Sequence, residues 1–497
     1  MSNKLNAKKI SVAQHIVYSF MPRSLIYSAM TGALFLSLSQ MTNATDTDSL
    51  QKTLGNGSAK IFPPIGQNAL TTSSIKSSFI RDIRAAIAAK WQKGQIDNLV
   101  DFLVVQQSSQ AEAYQDASEV PRNSFKPFIG QNLSYDSNIL RVADGGDAEK
   151  VLAGRSKSDF IKQIRAGIAA KWSIQRQALL VKAMVSQNWY STYHELDYLG
   201  RDIQIRWDWQ LGRYLTGEIG YNNKVSREAF SQINSLSDNL QTRNGYFASG
   251  EYQFFSNWFL QGGFTHLNTS YNANLFQINA LTTEATMVGL KYLTPNKNQL
   301  GITATLTDGK FPNRVFVAGN YIDNAYTRND FNFEWAWQYS VKTGFDGTIG
   351  YMQQSFEHLH QRDFSAPTVN ANLSWEVTAK TSLRLSGWRE IQFVNSQGAN
   401  FLLTQGLRVS TAWIPTPKLQ FTLPLSYEKQ EYLGDPGFIK TAGAEQDKVS
   451  KIGLNVDYNP IENAKVSLFM QFEDRTSTTL SRNYQSNAVG LDMQLDF

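Results

Sequence analysis

The chain of 497 residues carries 47 Lys+Arg against 42 Asp+Glu and contains no cysteine. Four of the bases, Lys4, Lys8, Lys9 and Arg23, fall in the first 44 residues, where no acid occurs, so the remainder is almost neutral at 43 against 42. That balance argues against nucleic acid or an acidic substrate as a partner, and the missing thiols exclude disulfide staples and thiolate metal sites.

The first element predicted in chain order is an export signal over residues 1–44. A basic stretch through Arg23 precedes the apolar run Leu25 to Leu38, and Thr42-Asn43-Ala44 supplies small residues for cleavage after Ala44. About 14 apolar residues are too few for a helix to cross roughly 30 Å of hydrocarbon. No later stretch reaches the roughly 18 unbroken apolar residues of a membrane helix.

Residues 45–125 are rich in Ser, Thr, Gln and Asn. Phe62 to Asn68 echoes Phe125 to Asn132, and Phe79 to Trp91 (FIRDIRAAIAAKW) nearly copies Phe160 to Trp172 (FIKQIRAGIAAKW). The order of the motifs points to a periplasmic segment holding a degenerate copy of the first hairpin. It is either a loosely folded repeat or a plug or docking arm.

From Lys126 to Phe497 apolar residues recur at every second position. In Arg201 to Leu211, Ile203, Ile205, Trp207, Trp209 and Leu211 share one face, opposite Asp202, Gln204, Arg206, Asp208 and Gln210. Period two is the strand period. The same pattern recurs at Phe331 to Trp337, at Val369 to Trp375 and in the last segment, Val489 to Phe497. Eight short turns, near 173–175, 212–213, 255–257, 294–298, 339–340, 378–381, 415–417 and 459–463, alternate with nine longer polar stretches. This rhythm predicts an all-β, transmembrane antiparallel outer-membrane barrel of about 18 strands (16–18), with short periplasmic turns and long extracellular loops. In lipid a free sheet edge would leave backbone groups unpaired, so the sheet must close.

The register assigns Arg165, Asp202, Arg206, Asp208, Glu218, Glu251, Glu334, Arg384, Arg408 and Gln420 to the lumen. Both signs of charge occur among them, so strong ion selectivity is not expected. Catalysis finds little support: no G-x-S-x-G elbow occurs, and the histidines are His15 in the signal, His194 and His266 at strand ends, and His358 and His360 in a loop. Two imidazoles on one strand face could begin a metal site but lack a third ligand. The pair Glu218 and Glu251 has the carboxylates of a glycosidase, yet a wet lumen supplies such pairs by default. No cofactor is implied.

Several segments carry a family resemblance: Tyr135-Asp136-Ser137-Asn138-Ile139-Leu140-Arg141, Leu196 to Gly200 leading into Trp207-Asp208-Trp209, Gly289-Leu290-Lys291-Tyr292 with Thr294-Pro295, and Trp413 to Pro417 followed by Leu419. Over about 125–497 the chain resembles the EpsL-type outer-membrane barrels of exosortase-associated extracellular-polysaccharide clusters. The resemblance implies a non-enzymatic conduit for an exopolysaccharide chain, working with a periplasmic polysaccharide-export protein. An aromatic last residue, Phe497, resembles the signal read by the barrel assembly machinery. The duplicated segment and the charged stretch Asp144 to Lys150 depart from the family's pattern. A general or nutrient porin is the alternative function, and an outer-membrane hydrolase a third. The common partner in every reading is outer-membrane lipid.

Overall fold

The computed structural model describes residues 123–143, 152–227, 230, 239–314, 325–393, 399, 401–434 and 445–497. The predicted export signal, the predicted duplicated segment up to residue 122 and Asp144 to Lys150 lie outside them.

Eighteen antiparallel strands follow one another: β1 (Ser124–Asp136), β2 (Asp159–Ile174), β3 (Gln177–Tyr190), β4 (Tyr198–Leu211), β5 (Leu215–Arg227), β6 (Leu240–Phe255), β7 (Trp258–Tyr271), β8 (Leu281–Leu293) and β9 (Gln299–Lys310) form the first half. The second half is β10 (Tyr326–Ser340), β11 (Thr343–Phe356), β12 (Phe364–Thr378), β13 (Thr381–Phe393), β14 (Phe401–Thr416), β15 (Leu419–Leu433), β16 (Gln446–Ile461), β17 (Ala464–Ser477) and β18 (Tyr484–Asp496). Each strand pairs with its chain neighbours, and β1 pairs with β18, so the sheet closes as the alternation requires. The strands run from 12 to 16 residues, beyond the roughly nine to eleven that a tilted crossing needs, because their ends continue past the lipid into the loop zone.

The outer wall carries Phe331, Ile302 and Val288, each more than half exposed to solvent. An apolar surface of this extent far exceeds the patches soluble proteins show, and lipid is the solvent that suits it. Near the short turns the outer wall is aromatic. Trp258 packs on Tyr292 with ring centroids 4.9 Å apart, Trp413 stacks on Phe421 at 5.3 Å and Trp337 on Phe345 at 6.5 Å, forming a girdle at one membrane interface.

The short turns are tight. Gln175 and Gly212 take positive φ of 53° and 62° to reverse the chain, and register shifts beside the turns after β6, β10, β12, β14 and β16 add local twist. Some predicted turns move by a residue or two. The turn placed at Tyr339-Ser340 lies after Ser340, and the one at Pro415 to Pro417 lies after Thr416, because bulges let the pairing continue.

The long loops fold inward. Ile161 and Tyr190 face each other across β2 and β3 on the inner wall, and Ile139, Leu140, Val142, Leu152, Tyr193 and Leu196 from two loops bury against them. A second cluster joins Leu281, Tyr326 and Phe356 to the loop residues Phe311 and Leu359, and a third joins Leu402 and Tyr432 to Ala399. The mouth at this end is therefore narrowed on three sides.

Two of these loops share one construction. Tyr190, Tyr193, Leu196 and Asp197 recur in spacing as Phe356, Leu359, Arg362 and Asp363, and the first three of each set are buried. Each encloses a one-turn 3-10 helix, His194–Leu196 or His360–Arg362. The closing carboxylate accepts a 2.7 Å hydrogen bond from the last strand amide, Tyr190 N to Asp197 and Phe356 N to Asp363. In a third loop Asn483 does the same for Ser477 N at 2.6 Å. Asp363→Ala should leave the Phe356 amide unpaired and cost about 1 kcal/mol locally, whereas Asp363→Asn keeps the acceptor. Hydrogen exchange at Phe356 should thus speed up about fivefold in the alanine variant alone, and equal exchange in both would refute this role.

Candidate functional site: the inner wall

All ten residues assigned to the lumen by register lie on the face opposite the exposed Trp, Phe and Ile side chains. They do not form one site. Arg206 sits 2.9 Å from Asp208 and 3.9 Å from Glu218, so these three cluster on β4 and β5. Asp202 accepts from Gln204 at 3.0 Å and is flanked in register by Lys224 and Arg243 on the next two strands. Glu334 accepts from Thr303 at 3.1 Å, and Gln420 bonds Thr422 at 3.3 Å. Arg384 is exposed to the lumen. Arg408 lies over the Trp388 ring, which itself fills the space a side chain at Gly406 would need.

Glu218 and Glu251 belong to separate networks. Glu218 takes a bond from Ser249, while Glu251 is held by Gln261 at 2.8 Å and by a fully buried ion pair with Lys291. A glycosidase needs two carboxyls facing one bond, and each of these is committed elsewhere.

Arg165 reaches across a whole strand. From β2 it crosses over β1 and forms a two-pronged pair with Asp492 on β18, at 2.5 and 2.7 Å, with Gln494 at 3.2 Å. Asn132 of β1 donates to the same carboxylate at 3.3 Å. The path is open because position 130 is glycine: a Cβ there would meet the guanidinium at 2.7 Å. This clasp spans the seam where the barrel closes.

A second network rims the mouth across the same seam. Ser486 and Arg141 both bond Asp136, at 2.7 and 2.8 Å, and Tyr484 donates to Glu473 at 2.6 Å. Arg475 pairs with Asp447, and Arg482 reaches Tyr432 and Glu445 at 2.5 and 2.6 Å. Burial works against the Arg141 charge, but Asp136 and Glu473 outweigh it and hold its pKa above the ordinary arginine value. Asp136, Asn138 and Arg141 come from the Tyr135 to Arg141 segment. Within this structure they fasten the first long loop.

The histidines stand otherwise than expected. His266 lies inside β7 rather than at its end, on the outer face 3.2 Å from Glu284 of β8. His358 and His360 are not on a strand face. Residues 357–363 form the loop with the 3-10 turn, where His360 is 3.6 Å from Asp363. No group of three or more His, Cys, Asp or Glu placed to hold a metal occurs among the described residues.

Lys291, Asp492, Asp447, Arg475 and Glu473 are buried inner-wall ions beyond the ten. Alternation places Asp492 inward, but partners hundreds of positions apart leave no local signal.

Residues 340–497, which cover β11 to β18, match the family described as "Putative beta-barrel porin 2". The chain is a closed 18-stranded barrel of the Gram-negative outer membrane, porin-like over those residues. The barrel is similar to a crystal structure of Pseudomonas aeruginosa OpdK with vanillate, at 10% identity and TM-score 0.44 over 75% of this chain and 99% of that one. It is likewise similar to OccAB3 of Acinetobacter baumannii, at 10% identity and 0.44 over 75% and 100%, and to the alcaligin outer-membrane receptor FauA of Bordetella pertussis, at 12% identity and 0.40 over 76% of each. A comparison with curated proteins finds no match.

Proposed function

We propose that the barrel is a passive aqueous channel through which small polar solutes cross the outer membrane without a chemical step. The supporting observation is the inner wall itself. It carries charges of both signs, and buried ones pair across strands, as in Arg165 with Asp492 and Lys291 with Glu251. A wall already satisfied in this way offers solutes short-lived hydrogen bonds and no deep binding site. Eighteen strands enclose a bore wide enough for water, and the inward-packed loops narrow its mouth. The purified full chain in planar bilayers should conduct steadily without partners and show weak preference between K+ and Cl−. Channels that remain shut unless another protein is added would refute free diffusion.

A second reading, export of an exopolysaccharide chain with a periplasmic polysaccharide-export protein, is favoured by the segments resembling EpsL-type barrels, above all Tyr135 to Arg141. Under it, deleting the gene strands polymer in the periplasm. Normal polymer export in the deletion strain removes this reading. We extend the proposal to biogenesis: the signal is cleaved after Ala44, and Phe497, exposed at the barrel's last strand, is read by the barrel assembly machinery. Phe497→Ser should then lower the folded fraction in the membrane several-fold, and unchanged folding on heated and unheated gels would refute it.

A further inference from the structure

The outer wall of β12 to β17 carries a lateral row rich in cations. Reading across β12 to β17, the register aligns Val369, Arg389, Gln405, Lys429, Lys448 and Thr476 on the lipid-facing side. Below this row, toward the short turns, the same face is apolar: Leu385 on β13, Leu407 and Val409 on β14, Leu423, Leu425 and Tyr427 on β15, Ile452 and Leu454 on β16. Above the row, Ile391 and Leu403 on β13 and β14 bury in a cluster with Met352, while β15 and β16 continue with Glu431 and Gln446, so the row lies at the long-loop side of the hydrocarbon band, where lipid headgroups begin.

Three cations in such a row are costly on their own. Lys429 and Lys448 are direct cross-strand partners, a placement that puts like charges about 5 Å apart at Cβ and destabilises the sheet. Lys429 is relieved by Glu431 at 2.7 Å, and the nearby Asp474 is engaged by Gln485 at 2.8 Å. Lys448 is exposed and makes no hydrogen bond or ion pair within the described residues, and Arg389 gives one N–H to the Pro367 carbonyl while the rest of its guanidinium has no acid partner. With strands about 4.8 Å apart, the three cations fall within about 15 Å along one line. Just beneath Arg389, Gly387 pairs with Ala371, and a Cβ at Gly387 would meet nothing nearer than 3.8 Å. These two small residues leave a shallow apolar notch directly under the positive row.

We propose that Arg389, Lys429 and Lys448 form a site for the phosphorylated headgroup of a membrane lipid, with an acyl chain lying in the notch at Ala371 and Gly387. Arg389 supplies a planar fork to phosphate oxygens, and the two lysines supply point charges that an anion between them converts from repulsion to attraction. By contrast Lys162, a cation on the outer face of β2, already lies over the Trp189 ring.

Native mass spectrometry of the folded full chain in neutral detergent, titrated with dioleoyl phosphatidic acid, tests this. Each cation beside an anionic headgroup contributes roughly fivefold in affinity, so the R389Q/K429Q/K448Q variant should bind its first lipid about a hundredfold more weakly. Dioleoyl phosphatidylcholine should bind wild type and variant alike, and Lys162→Gln should leave the phosphatidic acid adduct intact. Inorganic phosphate separates the two possible sources of the anion. If it displaces phosphatidic acid at equal concentration, the acyl chain adds nothing and the lipid assignment fails. Equal phosphatidic acid binding by wild type and triple variant also overturns the proposal. Should the triple variant not fold by gel shift, R389Q and K448Q each alone must weaken the adduct by about fivefold.

Discussion

Arg165→Ala should destabilise the folded barrel by about 3 kcal/mol, because it strands the carboxylate of Asp492 on the inner wall with only Asn132 to partner it. Both ends of the pair are more than nine-tenths buried, so water does little to screen the loss. Gly130→Ala should cost most of the same amount by an indirect route. Its methyl group would occupy the place where the guanidinium crosses β1, and the flexible arginine, rather than the strand, would give way. The two substitutions then break one interaction, and the double variant should be no worse than Arg165→Ala alone. Replacing both charged partners, as in R165M/D492L, should recover part of the stability, since removing a buried pair together leaves nothing unpaired. Urea unfolding in lipid vesicles reads all four. Additive costs for Gly130→Ala and Arg165→Ala would mean that the glycine matters for another reason.

The second large effect concerns the mouth. Leu140 and Tyr193 are wholly buried in the cluster that ties the first long loop to Ile161 and Tyr190. Truncating either removes on the order of 2–5 kcal/mol of packing, more than a loop-sized unit can lose and remain docked. In L140S/Y193S the loop should come free, single-channel conductance should rise and open-state noise should increase, while the strands remain folded. A conductance identical to wild type would show that this loop does not bound the aqueous path.

Much of the architecture was legible in the chain because a strand exposes its two faces in strict alternation. Arg201 to Leu211 alone separates lipid side from water side, and the regular change from short to long connections leads to eighteen strands. Around the first long loop, read as 136–159, β1 ends at Asp136 and β2 begins at Asp159, where each carboxylate bonds loop residues. The sites were harder to read. Alternation puts Arg165 inward but cannot say that its partner is 327 positions away, because that contact exists only once β18 meets β1. Lys291 sat in a segment notable for its family resemblance, and its pairing with Glu251, two strands away, depends on register. His358 and His360 suggested a strand because alternate residues on a strand share a face. Only aligning Tyr190 to Asp197 with Phe356 to Asp363 exposes the loop construction that places them on a turn.

Because the chain has no cysteine of its own, cysteine labelling can follow side chains that point by turns into lipid and into water around the closed wall. Single cysteines placed in turn at Ile203, Gln204, Ile205, Arg206, Trp207 and Asp208, in intact outer membranes, should react with a charged maleimide at the even positions and resist it at the odd ones. Uniform reactivity, or a repeat near every third or fourth position, would contradict the barrel.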